Sequence, residues 1–351
     1  MDIRQAIGAV IEKGDLTESE MIEVMNQIMA GDATDAQIGS FITALRMKGE
    51  TVAEITGAVR VMRDKATPIE TGVDVEQGGI IVDTCGTGGD GSGTFNVSTC
   101  SAFVVAGAGL VVAKHGNRSI SSSCGSADVL EAAGVSLALD ADQVSSCIRE
   151  IGIGFLFAPA LHGAMKYAIG PRREIGVRTI FNVLGPLTNP AGANVQVLGV
   201  FSDTLTEPLA RVLGNLGSRR ALVVHGEGNL DELTVTGASR VSELNNGTVT
   251  NYTVTPEEVG LKRSSLAELK GGSTVEQSAE MLRSVLAGEK GAKRDMVLLN
   301  SGAALYAAGQ VDSLQQGVER AGEVIDKGDA LEKFDQLVKF TKNIQRAEKN
   351  T

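Results

Sequence analysis

Asp83-Thr84-Cys85-Gly86-Thr87-Gly88-Gly89-Asp90-Gly91-Ser92-Gly93-Thr94 brings five glycines into twelve residues and is followed by Phe95-Asn96-Val97-Ser98-Thr99. Phosphate oxygens need several N–H donors at short range, and glycine lets the main chain approach closely enough to supply them. A helix starting at Asn96–Ser98 would add the partial positive charge of its N-terminus. No Gly-Lys-Ser/Thr follows, so this is not a Walker loop, and the spacing is not a clean dinucleotide fingerprint. Glycine richness alone equally suits a flexible turn. Asn96, Ser98 and Thr99 favour the anion-binding reading.

A second segment, Lys114-His115-Gly116-Asn117-Arg118-Ser119-Ile120-Ser121-Ser122-Ser123-Cys124-Gly125-Ser126, offers two bases, an imidazole, an amide and a run of hydroxyls without a carboxylate. That balance suits a polyanion. Asp231-Glu232 could hold Mg²⁺, a hard cation that takes one or two carboxylates together with ligand phosphates. In Pro171-Arg172-Arg173-Glu174-Ile175-Gly176-Val177-Arg178-Thr179, an arginine could clamp a carboxylate bidentately, although Arg-Arg on a helix is commonly an ordinary charged face. His115, His162 and His225 have no zinc-motif spacing. No Gly-x-Ser-x-Gly elbow occurs and Cys85 has no evident base, so covalent nucleophilic catalysis is not indicated.

The elements that must position these residues follow from periodicity and caps. Thr17/Glu20, Thr34/Gln37 and Thr51/Glu54 are capping boxes ahead of apolar-periodic stretches, so the first 70 residues should be short helices. Gly14, Gly31 and Gly49 fall where helix ends want a left-handed residue. Residues 79–83 read as a strand. Residues 101–112 read as a helix leading into a strand at 110–113. Segments 129–133, 143–151, 195–201 and 221–224 continue the alternation. The last hundred residues mix the strand-like 248–254 with helices at 275–287 and 313–326. Such alternation predicts an α/β fold with a mostly parallel sheet.

At 351 residues the chain has length for about two domains. No apolar run approaches the ~18–20 residues needed to span a bilayer. No cleavable apolar leader is apparent, and Cys85, Cys100, Cys124 and Cys147 lack metal-ligand spacing, so a cytoplasmic protein with free, packing thiols is expected. The net charge of −11 argues against nucleic acid or a membrane surface as partner. Against that acidic background, residues 1–75 carry −6 while residues 110–180 carry +1. The relatively positive middle of the chain is either chance variation of the surface or a site for an anionic ligand.

Gly86-Thr87-Gly88-Gly89-Asp90, Asn96-Val97-Ser98-Thr99, Lys114-His115-Gly116-Asn117-Arg118, Gly125-Ser126-Ala127-Asp128-Val129-Leu130-Glu131, Arg178-Thr179-Ile180-Phe181-Asn182, Leu184-Gly185-Pro186-Leu187-Thr188-Asn189-Pro190 and Asp231-Glu232 occur in this order. Together they resemble the anthranilate phosphoribosyltransferases of tryptophan biosynthesis. The resemblance implies a small N-terminal helical domain plus a larger α/β domain of the nucleoside phosphorylase type. It places residues 1–72 and roughly 163–190 in the helical, dimerisation domain, and 73–162 and 191–351 in the ligand-binding domain. It implies a homodimer that uses Mg to transfer phosphoribose from phosphoribosyl pyrophosphate (PRPP) to the amine of anthranilate.

Carried over residue by residue, the resemblance implies that Gly86, Gly89, Asp90, Thr94, Asn96, Val97, Ser98 and Thr99 form one wall of the PRPP site. Lys114, His115, Gly116, Asn117, Arg118, Ser119, Ile120, Ser121, Ser122 and Ser126 form the other. Ser98, Asp231 and Glu232 would hold the metal. Gly86, Asn117, Arg172, His115 and Pro186 would contact anthranilate, and Lys114, His115 and Asn117 would be catalytic. The chain departs from the family pattern at Ser123-Cys124, where Lys-Ser is expected, at Gly163, where Pro is expected, and in the Gly-Glu-Gly-Asn run before Asp231. Two other readings compete: a nucleoside phosphorylase on the same fold, opposed by Asn117 and Arg172, and a nucleic-acid-binding relative, opposed by the net charge and the Asp231-Glu232 pair.

Overall fold

The structure is a computed structural model, and it describes residues 1–119 and 124–349. The chain opens with α1 (Ile3–Ile11), α2 (Glu18–Ala30), α3 (Asp35–Lys48) and α4 (Val52–Asp64). Capping boxes start α2, α3 and α4 at Thr17, Thr34 and Thr51 as the sequence predicts. Another, Asp2 with Gln5, starts α1. Gly31 and Gly49 take positive φ at their helix ends. At the end of α1 the expectation for Gly14 fails, because Lys13 adopts the left-handed conformation and the Gly14 N–H closes the turn on Ala9 O at 2.9 Å.

Among the described residues, seven strands form one sheet in the order β3-β2-β1-β4-β5-β6-β7. They are β1 (Ile81–Gly86), β2 (Val111–Gly116), β3 (Ile153–Phe157), β4 (Val195–Gly199), β5 (Arg220–Gly226), β6 (Ser239–Asn245) and β7 (Thr248–Val254). The first five run parallel, and β6 and β7 are antiparallel. β3 and the polar β6 were not predicted. β2 also runs further than expected: Lys114, His115 and Gly116 lie in the strand, paired with Phe155, Leu156 and Phe157, rather than in the loop after it.

The remaining helices are α5 (Val97–Gly107), α6 (Ser126–Ala132), α7 (Ala141–Ile151), α8 (Ala158–Leu161), α9 (Lys166–Ile175), α10 (Phe181–Leu187), α11 (Thr206–Asn215), α12 (Val275–Leu286), α13 (Ala292–Ala307), α14 (Leu314–Asp326) and α15 (Asp329–Lys349). One apolar core packs α5 and α12–α15 on one face of the sheet, through Phe103, Leu298, Val324 and Phe334. A second joins α1–α4 to α10, α11 and the opposite face, through Phe41, Ile42, Phe181, Leu198 and Val223. The apolar faces of the short N-terminal helices are therefore stabilised by tertiary packing rather than by intrinsic propensity.

The order reverses at β1: the chain steps to β2 on one side, and later returns to β4 on the other. In open α/β sheets, ligands bind beyond the carboxyl ends of strands at such a switch point.

Candidate active site

Gly86 and Gly199 are register partners at the carboxyl ends of β1 and β4. Asp231 lies directly over both. A β-carbon on Gly86 would come within 2.5 Å of Asp231 Oδ2, and one on Gly199 within 1.5 Å of its carbonyl oxygen. Only glycine at both positions lets this carboxylate sit at the switch point. The Gly88 N–H donates to Asp231 Oδ2 at 2.7 Å, and the Ser98 N–H, in the first turn of α5, donates to Glu232 Oε1 at 3.2 Å.

Burial and the neighbouring carboxylate of Asp90 push Asp231 up to about 7. Burial and Asp231 push Glu232 up as well, with Lys114 partly opposing. Two carboxylates held out of water beside a third acid form a site that favours an added cation. Among the described residues, no three metal-binding side chains form a preformed cage. A pair of carboxylates suits Mg²⁺, which is commonly held by one or two carboxylates plus ligand phosphates.

The glycine loop is organised at both ends. The Asp90 carboxylate accepts from the Ser92 N–H at 3.1 Å and from the Ser92 hydroxyl at 2.6 Å. Ser92 Oγ also meets Thr94 Oγ1 at 3.1 Å. The loop's end is stitched to segment 269–271, with Gly271 N donating to Gly93 O and Phe95 N to Leu269 O. Asn96 Nδ2 donates to Cys124 O, tying this loop to the second one. The Thr99 hydroxyl is buried without a partner among the described residues.

The second loop differs from its sequence reading. It has no carboxylate of its own, but Asp128 reaches in from α6 and accepts from the Ser119 and Gly125 N–H groups at 3.0 and 2.9 Å. Arg118 pairs with Asp128 and Glu131, at 2.9 and 2.8 Å, rather than projecting alone into the cleft. Ser126 Oγ donates to the Asn117 carbonyl at 3.2 Å. Ile120, Ser121, Ser122 and the departure at Ser123 lie outside the described residues.

Lys114 and His115 are both buried. Asp83, wholly buried in β1, accepts from His115 N at 3.1 Å and from Asn189 Nδ2 at 2.9 Å, fixing the end of β2 against the segment after α10. His115 Nε2 lies 3.2 Å from His162 Nε2. Burial holds His115 down to about 3 and His162 down to about 4, so both imidazoles are neutral near pH 7. One must therefore donate and the other accept. The Gly185 main chain partly opposes this lowering at His115. The Pro186 carbonyl accepts from Gln196 Nε2 at 2.7 Å.

Arg172, on α9, is half-buried, and its guanidinium lies 5.2 Å from the Phe181 ring centroid. Among the described residues it has no carboxylate partner, and burial lowers its pKa. Gly163 begins a short turn with nothing within 4 Å of an added β-carbon, so its departure from proline relieves no clash. Asn300, which the sequence reading passed over, clamps the segment after Glu232. Its amide accepts from Leu233 N at 3.0 Å and donates to Leu233 O at 2.8 Å.

A glycosyl transferase family α/β domain matches residues 78–331, and the helical bundle domain of the same family matches residues 4–66. An anthranilate phosphoribosyltransferase of Desulfotalea psychrophila is 62% identical over 340 residues, covering 97% of each chain. The chain belongs to the anthranilate phosphoribosyltransferase family. The Geotalea uraniireducens member is 58% identical over 97% of this chain and 99% of its own.

Among solved members, the Thermus thermophilus anthranilate phosphoribosyltransferase superposes with a TM-score of 0.90 at 46% identity, covering 96% of this chain and 99% of that one. The Saccharomyces cerevisiae enzyme, solved in complex with PRPP and Mg, gives 0.86 at 25% identity over 97% and 98%. The α/β fold with its helical N-terminal part is thus the family's own. Among the described residues no helix is long and apolar enough to cross a membrane.

Proposed function

We propose that this chain transfers phosphoribose from PRPP to the amine of anthranilate, giving N-(5-phosphoribosyl)anthranilate and diphosphate in tryptophan biosynthesis. The observation that carries this reading is the Asp231–Glu232 pair, seated on Gly86 and Gly199 at the switch point and facing a loop of main-chain donors. With Ser98 those carboxylates would hold magnesium, whose charge, when bound, offsets that of the departing diphosphate.

The chain's own groups do the rest. N–H donors of the 86–94 loop and the first turn of α5 stabilise charge developing on the leaving group. Asn96, Thr99, Asn117, Arg118 and Ser126 line the phosphoribosyl side, the Thr99 hydroxyl having no hydrogen-bond partner among the described residues. Lys114 offsets Glu232 from beneath. Neutral His115 and Pro186 line the acceptor side, and Arg172 receives the anthranilate carboxylate. The attacking aromatic amine is already neutral, so positioning replaces a strong base.

The division into a helical part, 1–72 with roughly 163–190, and an α/β part belongs to the same reading. It is supported by the core that α1–α4 share with α10. So does a cytoplasmic homodimer, for which the exposed Ile11 on α1 and Met47 on α3 offer apolar surface.

The test mixes purified protein with anthranilate, PRPP and Mg²⁺ and follows loss of anthranilate fluorescence. Loss requiring all three components, and abolished by Asp231→Asn with Glu232→Gln, supports the reading. Folded protein that binds PRPP but consumes no anthranilate overturns it.

A further inference from the structure

Arg178 lies in the exposed connection between α9 and α10, next to Ile180 and Phe181, which are buried in the core shared with the N-terminal helices. Its guanidinium donates to the Gly89 carbonyl and stacks 4.2 Å from the Phe201 ring centroid. Gly89 belongs to the loop leaving β1, and Phe201 to the loop leaving β4. Those loops are already joined, since Thr87 N donates to Gly199 O at 2.9 Å and Phe201 N to Thr87 Oγ1 at 3.1 Å. One side chain therefore bolts the α9–α10 segment to both strands that flank the switch point.

The chemistry at this contact is specific. A planar guanidinium can donate in its plane while its face rests on a ring, and an ammonium cannot do both. Gly89 has φ +71°, and a β-carbon there would lie 3.1 Å from Arg178 Nη2, so the close approach depends on glycine. Among the described residues Arg178 has no carboxylate partner, so its charge is not consumed by an ion pair.

We propose that Arg178 is the positioning residue that couples the two substrate sites. Through Gly89 it holds the 86–94 loop in its diphosphate-binding form. Through the main chain it links that loop to the segment carrying Arg172 and Pro186, so that occupancy of the acceptor side strengthens PRPP binding. The coupling is reciprocal, as binding linkage requires. This rests on the transferase reading above.

The test uses full-length protein with Arg178→Ala, Arg178→Lys and Phe201→Leu. The KM for PRPP is measured at low and at saturating anthranilate, and hydrogen exchange of the 86–93 amides is measured without ligands. Arg178→Ala should raise the PRPP KM about tenfold, erase its dependence on anthranilate, and speed exchange in 86–93 but not in the sheet. Lysine should restore little. Phe201→Leu should act in the same direction, and the double variant should add little more. An active wild type whose Arg178→Ala variant keeps both the PRPP KM and the exchange pattern overturns the proposal. So does a raised KM with unchanged exchange, which would make Arg178 a direct phosphate ligand. A wild type that turns over nothing overturns the transferase reading instead, and the exchange comparison still decides whether Arg178 holds the loop.

Discussion

The side-chain amide of Asn300 is bonded to the main chain of Leu233 in both directions, one residue beyond Glu232. Asn300 is buried in α13 and also donates to Met296 O at 2.9 Å, so its rotamer is fixed from the helix side. The acidic pair is thus held by a helix some seventy residues away in sequence, across the sheet's α13 face. Asn300→Leu keeps the branching pattern but leaves the Leu233 N–H and C=O unpaired, a loss of about 2–4 kcal/mol. The Mg²⁺ concentration giving half-maximal turnover should rise several-fold, while the anthranilate KM stays put. A change in anthranilate KM alone would remove Asn300 from metal positioning.

Ionisation of Asp231 should make the stability of the metal-free protein depend on pH. Its folded-state value, about 7, lies above the ordinary 3.8, raised by burial and then by Asp90. A carboxyl raised in this way stabilises the folded state fully below its unfolded value, and loses that contribution as pH rises through about 7. Without metal, the melting temperature should therefore fall between about pH 4 and 7, and the increment from added Mg²⁺ and diphosphate should grow across the same window. Asp231→Asn should flatten both trends. Scanning calorimetry at several pH values, with and without the additions, checks this.

What the sequence made legible was local. The Thr17, Thr34 and Thr51 caps, and the glycine loop after β1, are specified by neighbours three or four residues away, so spacing suffices to read them. β3 and β6 were missed because a glycine-bearing five-residue run and a polar seven-residue run become strands only when partners are beside them. The residues that organise the site were missed for the same reason. Asp128 answers the N–H groups of Ser119 and Gly125 from the next helix, and Asn300 answers Leu233 from much further away. Neither carries a signal that composition or period could expose. The ion pairs of Arg118 with Asp128 and Glu131 were equally invisible, because neither carboxylate is in its own loop.

Glu54 joins three elements of the N-terminal helices. It completes the cap of α4, accepts from Leu16 N at 2.9 Å, and pairs with Lys48 Nζ at 3.0 Å, with neither side chain appreciably exposed. Removing one member of such a pair strands the other, leaving Lys48 the more exposed Asp15 and the Gly49 carbonyl at 2.8 Å. Glu54→Ala should destabilise the protein by about 3 kcal/mol. Glu54→Gln, which keeps an acceptor for Leu16, should lose less. Urea unfolding read at the first transition distinguishes them, and equal losses would mean that only the charge matters.

Arg172 is a half-buried cation with a ring face beneath it and no carboxylate partner among the described residues. Such a group weakens the empty protein and is relieved by an anion of matching shape. A structural arginine would behave oppositely, since its loss would lower stability. Arg172→Ala should therefore leave the melting temperature of the ligand-free protein unchanged or raise it, while increasing the anthranilate KM about a hundredfold and moving the PRPP KM far less. Arg172→Lys should recover little, because an ammonium cannot pair bidentately and stack on Phe181 together. An equal rise in both KM values, or a lowered melting temperature with unaltered anthranilate KM, would show that the guanidinium supports the fold rather than the acceptor carboxylate.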